Sequence, residues 1–334
     1  MIDLNNPEIK FALHAVRQAA QVVQRIQADL VSSTLTKEDR SPVTVADFAS
    51  QAVVAWLLEQ VFPHDPLVAE EDAETLRQPE SSQTLEMVTY YVRQFTKRST
   101  PETVCNWVDK GAAQPAGRFW CLDPIDGTKG FLRGDQYAVA LALIENGRVA
   151  LGVLGCPNLT DAYRPDLCGT GSLVVAARGQ GAWVTPLDAP GEFSPLNVSQ
   201  RSKPSQARLL RSFESGHTNV TQIDEFIQIM GISVEPLRMD SQAKYAVLAA
   251  GKGDLLLRLL SSAKPDYREK IWDQAAGSII LEEAGGRITD ILGKNLDFNQ
   301  GRTLAKNRGI CASNGLLHRP ALKALDAIGA WSGD

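Results

Sequence analysis

The chain has 334 residues, of which 44% are hydrophobic and 22% charged, and its formal net charge at pH 7 is −5. This composition excludes a disordered or fibrous chain, and the negative net charge gives no general electrostatic basis for a nucleic-acid partner. The sequence shows no basic start with an apolar core, no run of about 18 apolar residues, and five scattered cysteines. We therefore expect a cytoplasmic protein with reduced thiols and no membrane partner.

In the first half of the chain, the pattern of apolar residues predicts helices followed by strands. Asn6 and Pro7 are typical of a helix start, and the apolar residues after them recur near a 3.6-residue period. Asn146-Gly147 lies between two apolar runs, which indicates a hairpin. Residues 77–117 are polar and predict one helix only. The predicted helices are 9–30, 47–61 and 85–95, and the predicted strands are 67–69, 118–122, 137–145, 148–154, 172–177 and 182–185.

The second half alternates strands and helices after a segment with four prolines, 186–205, which is the best candidate domain boundary. We predict a layered sandwich of two abutting halves, an α+β domain (1–195) and an α/β domain (196–334). The predicted helices are 220–230, 242–250, 272–284 and 321–328, and the predicted strands are 208–213, 234–237, 254–259, 287–289 and 310–313.

The most informative peptide is WCLDPIDGTKGF, residues 120–131. It places Asp123 at the end of an apolar strand and Asp126 three residues later, and two carboxylates so close repel each other unless a cation lies between them. Oxygen ligands without nearby Cys or His favour Mg²⁺, with Mn²⁺ as an alternative. Gly127-Thr128 stands where a helix could begin and offer N–H groups to a phosphate. A surface turn of the same composition is the alternative.

Other acidic residues also lie at the ends of predicted elements. Glu70 and Glu71 follow the apolar run 67–69, Asp47 lies within a predicted helix, and Asp273 lies at the start of another. Each has an ordinary alternative, as solvated charge, as an N-terminal helix residue or as an N-cap. Their recurrence beside apolar runs favours one shared site.

Four motifs occur in order along the chain: VTVAD (43–47), AEED (69–72), DPIDGT (123–128) and WDQAAG (272–277). Together they resemble the inositol monophosphatase superfamily of Mg²⁺-dependent, lithium-sensitive phosphatases, over residues 9–328. The resemblance implies the fold of that superfamily, an α+β/α/β sandwich with alternating α-β-α-β-α layers. Most of the implied metal ligands fall in the first predicted domain. Inhibition by Li⁺ and a monomeric or homodimeric state are also implied.

The resemblance implies roles for individual residues. Two metal ions, or three, are held by Glu70, Asp123, the Ile125 carbonyl, Asp126 and Asp273, with Glu71 near a weaker third. A metal-activated water attacks the phosphorus in line, aligned by Glu70 and by Thr128, whose hydroxyl is held by Asp47. Gly127, Thr128 and Asp273 also contact the substrate.

Within the superfamily, the chain resembles the branch of 3′(2′),5′-bisphosphate nucleotidases, which remove the 3′-phosphate of adenosine 3′,5′-bisphosphate. The segments that carry this resemblance are 41–51, 126–147, 239–259 and 269–277, together with ESGH at 214–217. It implies that Ser241, Lys244 and Arg258 bind the nucleotide and that His217 contacts adenine. A phosphate that is not hydrolysed needs such basic partners. 3′-Phosphoadenylyl sulfate is a further implied substrate.

Two alternative functions stay open at this point. One is an inositol polyphosphate 1-phosphatase of the same superfamily, and the other is a catalytically silent protein that binds metal or nucleotide. The second predicts a broken set of acidic residues, whereas all of the expected positions are filled.

Overall fold

Five layers, in the order helix, sheet, helix, sheet, helix, make up the part of the protein that the computed structural model describes, residues 2–30, 41–189, 191–213, 220–260 and 266–330. The helices are α1 (Pro7–Leu30), α2 (Ser41–Val61), α3 (Ser82–Thr96), α4 (Pro101–Asp109), α5 (Thr128–Arg133), α6 (Val220–Met230), α7 (Ala243–Ala249), α8 (Ala275–Glu283) and α9 (His318–Ala327). The predicted layer order is confirmed.

The first sheet has seven strands and the second has five, with orders β1-β2-β3-β4-β7-β8-β9 and β11-β10-β12-β14-β13. The short β5 and β6 pair separately. The strands are β1 (Leu67–Ala69), β2 (Arg118–Asp126), β3 (Ala138–Glu145), β4 (Arg148–Cys156), β5 (Leu159–Thr160), β6 (Arg164–Pro165), β7 (Ser172–Ala177), β8 (Ala182–Pro186), β9 (Ser194–Leu196), β10 (Leu209–Arg211), β11 (Leu237–Arg238), β12 (Leu255–Arg258), β13 (Arg287–Thr289) and β14 (Ile310–Ser313).

Successive side chains of β2 point alternately toward the outer helical layer and toward the central helical layer. Trp120 and Leu122 pack into the apolar core beneath α1 and α2, whereas Phe119 and Cys121 point to the other face, toward α7 and α8. A third core lies between the second sheet and helices α6 and α9. Because β2 is buried on both faces, its side chains have little freedom to move, and the residues at its end inherit that rigidity.

Strand pairing positions the site. In the first sheet, β1 runs parallel to β2 with Ala69 opposite Leu122, which brings Glu70 beside Asp123. In the second sheet, β10 and β12 are also parallel, with Leu210 opposite Leu256. Residues that follow parallel strands meet at one edge of a sheet, and this edge is where ligands bind in open α/β sheets.

Several predicted features of the first half are confirmed. The Ile9 N–H donates to Asn6 Oδ1 at 2.9 Å, so Asn6 caps α1. Asn146 and Gly147 both have positive φ, 50° and 71°, as the two-residue turn between β3 and β4 requires. No helix in the described ranges is long and apolar enough to cross a membrane.

The prediction of a single helix between residues 77 and 117 was wrong, because α4 follows α3. Pro101 occupies the first turn of α4, and Thr100 and Thr103 form a reciprocal capping box. The apolar side of this nine-residue helix is too short to give a periodic pattern. The helix predicted at 272–284 begins instead at Ala275, so Asp273 lies before it.

The proposed boundary between residues 195 and 196 falls inside β9, which pairs with β8 through Ala182 and Leu196. The first strand of the second sheet to follow is β10. Helix α8, from the proposed second domain, packs against the first sheet: a Cβ added to Gly152 on β4 would lie 2.6 Å from Ile279 Cγ2. The two sheets therefore share the helical layer between them.

Candidate active site

A cavity of about 240 Å³ lies where the ends of both sheets approach each other. Its walls come from the end of β1, the turn from β2 into α5, the end of β10, the start of α7, the end of β12 and the segment before α8. The predicted site residues among its lining residues are Glu70, Asp123, Ile125, Asp126, Gly127, Thr128, Ser241, Lys244, Arg258 and Asp273.

The acidic wall is built by an irregularity at the end of β2. The pairing with β3 shifts register between Asp123 and Asp126, so both carboxylates can lie beside the cavity. Gly127 follows with a φ of 92°, and a Cβ there would lie 2.8 Å from Ser241 Cβ. This position therefore requires glycine, both for its backbone conformation and for the close approach of the second sheet.

Burial raises the pKa of all four carboxyl groups on this wall, Glu70, Asp123, Asp126 and Asp273, and repulsion between carboxylates adds to this effect for Glu70, Asp123 and Asp273. Burial raises the pKa of Asp123 well above its usual range, and the charges of Glu70, Asp126 and Asp273 raise it further. Solvent in the cavity reaches Glu70, yet loss of hydration against the surrounding protein, with repulsion from Glu71 and Asp126, raises its pKa to about 7. A cation among these groups would relieve the repulsion.

Buried oxygens without partners lie in the same region. Among the described residues, none donates a hydrogen bond to the Oδ1 atom of Asp123 or of Asp47, although both residues are buried. Unpaired buried carboxylate oxygens are costly, and an all-oxygen donor set suits Mg²⁺. The chemistry of the residues therefore fits a hard divalent cation. In the described ranges, no three Asp, Glu, His or Cys side chains are arranged as a cage for one ion.

A second wall of the cavity, next to these carboxylates, is basic. Lys244 Nζ lies 3.3 Å from Ser212 Oγ, and burial lowers the pKa of Lys244 to about 8 against the attraction of Asp126. Arg258 Nε lies 2.9 Å from Glu269 Oε2, and its Nη2 lies 3.6 Å from Asp273 Oδ2. Burial alone would lower the pKa of Arg258. The negative charges of Glu269 and Asp273 have the larger combined effect and raise this pKa.

Gln274 forms hydrogen bonds with two buried residues near Arg258, Tyr245 and Glu269. The Tyr245 hydroxyl donates to Gln274 Oε1 at 2.5 Å, and Gln274 Nε2 donates to Glu269 Oε2 at 3.0 Å. Because Glu269 in turn pairs with Arg258, a continuous polar chain runs from α7 to the end of β12. All members of this chain are buried or half-buried, so the orientation of the guanidinium is strongly constrained.

Not every predicted site residue lines the cavity. Asp47 is buried and is not among the described residues that line it, although the charges of Glu71 and Glu70 raise its pKa after the larger effect of burial. His217 and its ESGH loop lie outside the described residues.

Sequence reasoning missed several residues that line the cavity, including Arg211, Ser212 and Gln242. Arg211 is the last residue of the parallel strand β10 and Ser212 follows it, so the rule about strand ends could have found them. Gln242 lies between two predicted residues, but its contacts with a distant helix have no local signal. Its side-chain NH₂ donates to the Trp272 carbonyl at 2.9 Å, and its Oε1 accepts from the Gly277 N–H at 3.0 Å.

Comparison with known proteins agrees with this geometry. Residues 4–330 match the model of the inositol monophosphatase family. The chain is 39% identical to the 3′(2′),5′-bisphosphate nucleotidase of Schizosaccharomyces pombe, covering 96% of this chain and 95% of that protein. It is 42% identical to the protein of the same name from Oryza sativa, covering 96% and 94%.

A solved structure supports the fold. The inositol monophosphatase from Anabaena (Nostoc) superposes with a TM-score of 0.62 at 23% identity, covering 95% of this chain and 94% of that one. At this level of identity the likeness concerns the fold alone.

Proposed function

The chain belongs to the inositol monophosphatase family, and we propose that it removes the 3′-phosphate of adenosine 3′,5′-bisphosphate, giving AMP and inorganic phosphate. The sulfated nucleotide 3′-phosphoadenylyl sulfate is a further proposed substrate. The observation that carries the proposal is a cavity lined by a carboxylate wall and an adjoining basic wall. Such a pair of walls suits a substrate with one phosphate to be cleaved and a second to be held.

Members of this family are generally Mg²⁺-dependent. In this chain the ligands would be Glu70, Asp123, Asp126, Asp273 and the Ile125 carbonyl, which would hold two or three Mg²⁺ or Mn²⁺ ions. When bound, the ions supply Lewis-acid stabilisation of charge on the phosphoryl oxygens and lower the pKa of water.

The chain's own residues position the water and the phosphate. Glu70 would align the water with its carboxylate, which lies beside the cavity directly after β1. The Thr128 side chain is exposed at the cavity, where its hydroxyl can orient that water. Asp47 behind it would hold this hydroxyl, and Gly127, without a side chain, leaves room for the phosphate. These roles need no covalent phosphoenzyme.

The basic wall would hold the phosphate that is not cleaved. Lys244 and Arg258 supply positive charge there, and Ser241 supplies a hydroxyl. Ser241 has a φ of 66°, a strained backbone for a residue other than glycine. Such strain at a cavity wall favours a functional role for this residue. His217 stays a prediction for the adenine contact.

The test measures phosphate release with Mg²⁺ from adenosine 3′,5′-bisphosphate, inositol 1-phosphate and inositol 1,4-bisphosphate, each with and without Li⁺. We expect release from the nucleotide to be fastest and to be suppressed by Li⁺. Preference for an inositol phosphate would overturn the nucleotide assignment in favour of an inositol phosphate phosphatase.

A variant pair sharpens the assay. Lys244→Met removes a charge from the basic wall and should raise the KM for the nucleotide far more than that for inositol 1-phosphate, which has no second phosphate. Lys10→Met, at an exposed position on α1, is the matched control. Equal effects of Lys244→Met on both substrates would contradict the assigned role of this wall.

A further inference from the structure

Arg302 is not among the described residues that line the cavity. It lies in the segment between β13 and β14 and contacts residues that directly precede two carboxylates of the acidic wall. Its Nη1 donates to the carbonyls of Gly111 and Ala113 at 3.0 and 3.3 Å, and its Nη2 donates to the Ala69 carbonyl. Its guanidinium carbon also lies 4.8 Å from the centre of the Trp272 ring. One planar group therefore binds three carbonyls and stacks on an indole.

The groups that Arg302 contacts directly precede two proposed metal ligands. Ala69 is followed by Glu70, and Trp272 is followed by Asp273. These two carboxylates come from opposite halves of the chain. Among the described contacts, the single side chain of Arg302 connects the residue before Glu70 with the residue before Asp273, through a hydrogen bond to the Ala69 carbonyl and stacking on the Trp272 ring.

The backbone around Arg302 reinforces this link. The Ile271 N–H donates to the Arg302 carbonyl at 3.2 Å, and the Leu304 N–H donates to the Glu269 carbonyl at 2.9 Å. The segment that contains Arg302 therefore pairs alongside the segment that leads to Asp273. Ala69 is held from the other side, since its N–H donates to the Gly111 carbonyl at 2.9 Å.

We propose that Arg302 is a positioning residue that sets the spacing of Glu70 and Asp273 and thereby the affinity of the acidic wall for a divalent cation. The proposal rests on the proposed function of that wall. Supporting groups behind a metal site orient its ligands, and their loss weakens binding about 10- to 100-fold.

Lysine cannot replace arginine in this role. A planar guanidinium offers five N–H groups in a fixed plane and stacks on an aromatic face, whereas an ammonium is a compact point charge on a flexible stem. Arg302→Lys keeps the positive charge near the site, so its effect reports the geometry of the link and not the charge.

The experiment titrates the purified full chain with Mn²⁺ and follows free Mn²⁺ by electron paramagnetic resonance, for wild type and Arg302→Lys. The control is Arg17→Lys, because Arg17 also anchors a backbone carbonyl from a half-buried position, with Nε 2.9 Å from the Leu187 carbonyl, outside the cavity lining. Urea unfolding of all three proteins measures stability separately.

We expect Arg302→Lys to weaken Mn²⁺ binding about tenfold and to raise the Mg²⁺ concentration needed for half-maximal activity by the same factor. The kcat at saturating Mg²⁺ and the KM for substrate should change less than twofold. Arg17→Lys should bind Mn²⁺ as wild type does.

Two results would overturn the proposal in distinguishable ways. Wild-type Mn²⁺ affinity in Arg302→Lys, with or without lower stability, would show that Arg302 is only structural. Absence of Mn²⁺ binding by the wild-type chain would overturn the proposed metal site, and this inference with it.

Discussion

Asp126 and Gln242 lie 116 residues apart in the sequence, and the Gln242 N–H donates to Asp126 Oδ2 at 2.7 Å. The side chain of Gln242 continues the connection to the Trp272 carbonyl and the Gly277 N–H. One residue thus fastens the end of β2 to the starts of α7 and α8. The acidic wall, although drawn from distant parts of the sequence, is held together by hydrogen bonds as well as by strand pairing.

Replacing Gln242 by Leu should destabilise the protein. The Gly277 N–H and the Trp272 carbonyl would each lose a partner in a buried place, and each orphaned group costs about 1–3 kcal/mol. We expect urea unfolding to show a loss of about 2–4 kcal/mol. Gln180→Leu is the control, since its amide oxygen accepts a bond that is exposed to solvent. A loss below 1 kcal/mol in Gln242→Leu would contradict the assigned contacts.

Asp123→Asn should abolish turnover and leave the fold intact. Asn carries no charge, so the change removes repulsion from a buried acidic cluster and should also raise the free energy of unfolding of the metal-free protein. Mg²⁺ should stabilise the wild type more than the variant, because ligands that bind the folded state add stability. Phosphate release and urea unfolding with and without Mg²⁺ check these expectations.

Asp254→Asn provides the contrast. Asp254 is also fully buried, but Arg201 and Arg208 pair with its carboxylate, with the closest N–O distance 2.8 Å. Removing its charge should destabilise the protein by about 3 kcal/mol, as breaking a buried ion pair does. If both variants lost stability equally in the absence of metal, the repulsion assigned to Asp123 would be wrong.

Lys244 should make substrate binding depend on pH. Because burial lowers its pKa to about 8, the ammonium is present below pH 8 and is lost above it. The KM for the bisphosphate should therefore rise above pH 8, by at most about tenfold per pH unit for loss of one proton. Lys244→Arg keeps its charge in this range and should flatten the rise. Identical pH profiles of KM for the two proteins would rule Lys244 out as the cause.

His318 should make stability depend on pH away from the cavity. Its ring nitrogens lie 3.0 Å from Thr289 Oγ1 and Ser313 Oγ, and burial, with the charge of Arg287, lowers its pKa from 6.5 to about 4. Between these values the unfolded chain binds the proton more strongly, so stability should fall as the pH falls from 6.5 to 4, by up to about 3 kcal/mol.

The measurement compares urea unfolding of wild type and His318→Gln from pH 7 to pH 4. The Gln side chain does not titrate, so the difference in stability between the two proteins should shrink as the pH falls and His318 becomes costly. A difference that stays constant over this range would show that His318 does not titrate in the folded protein as described.

The sequence predicted the layers because apolar runs of helical and strand period alternate along most of the chain. It also predicted which carboxylates share a cavity, since Glu70 and Asp123 each follow an apolar strand. It failed for α4, whose start depends on the hydrogen bonds of Thr100 and Thr103. It could not predict Arg302, because a side chain that binds three carbonyls from a distant segment has no local pattern.

The parallel pairing of β1 and β2 has a consequence for how relatives of this protein can differ in length. Only three residue pairs, from Leu67 opposite Trp120 to Ala69 opposite Leu122, bring Glu70 beside Asp123. Where the chain between the two strands leads back toward β2, it is held by hydrogen bonds. Gln51 Nε2 donates to the Val108 carbonyl, and Arg302 Nη1 donates to the Gly111 carbonyl. Insertions and deletions inside 74–100 would therefore leave the spacing of the two carboxylates unchanged, and we expect evolutionary variation in length to concentrate there.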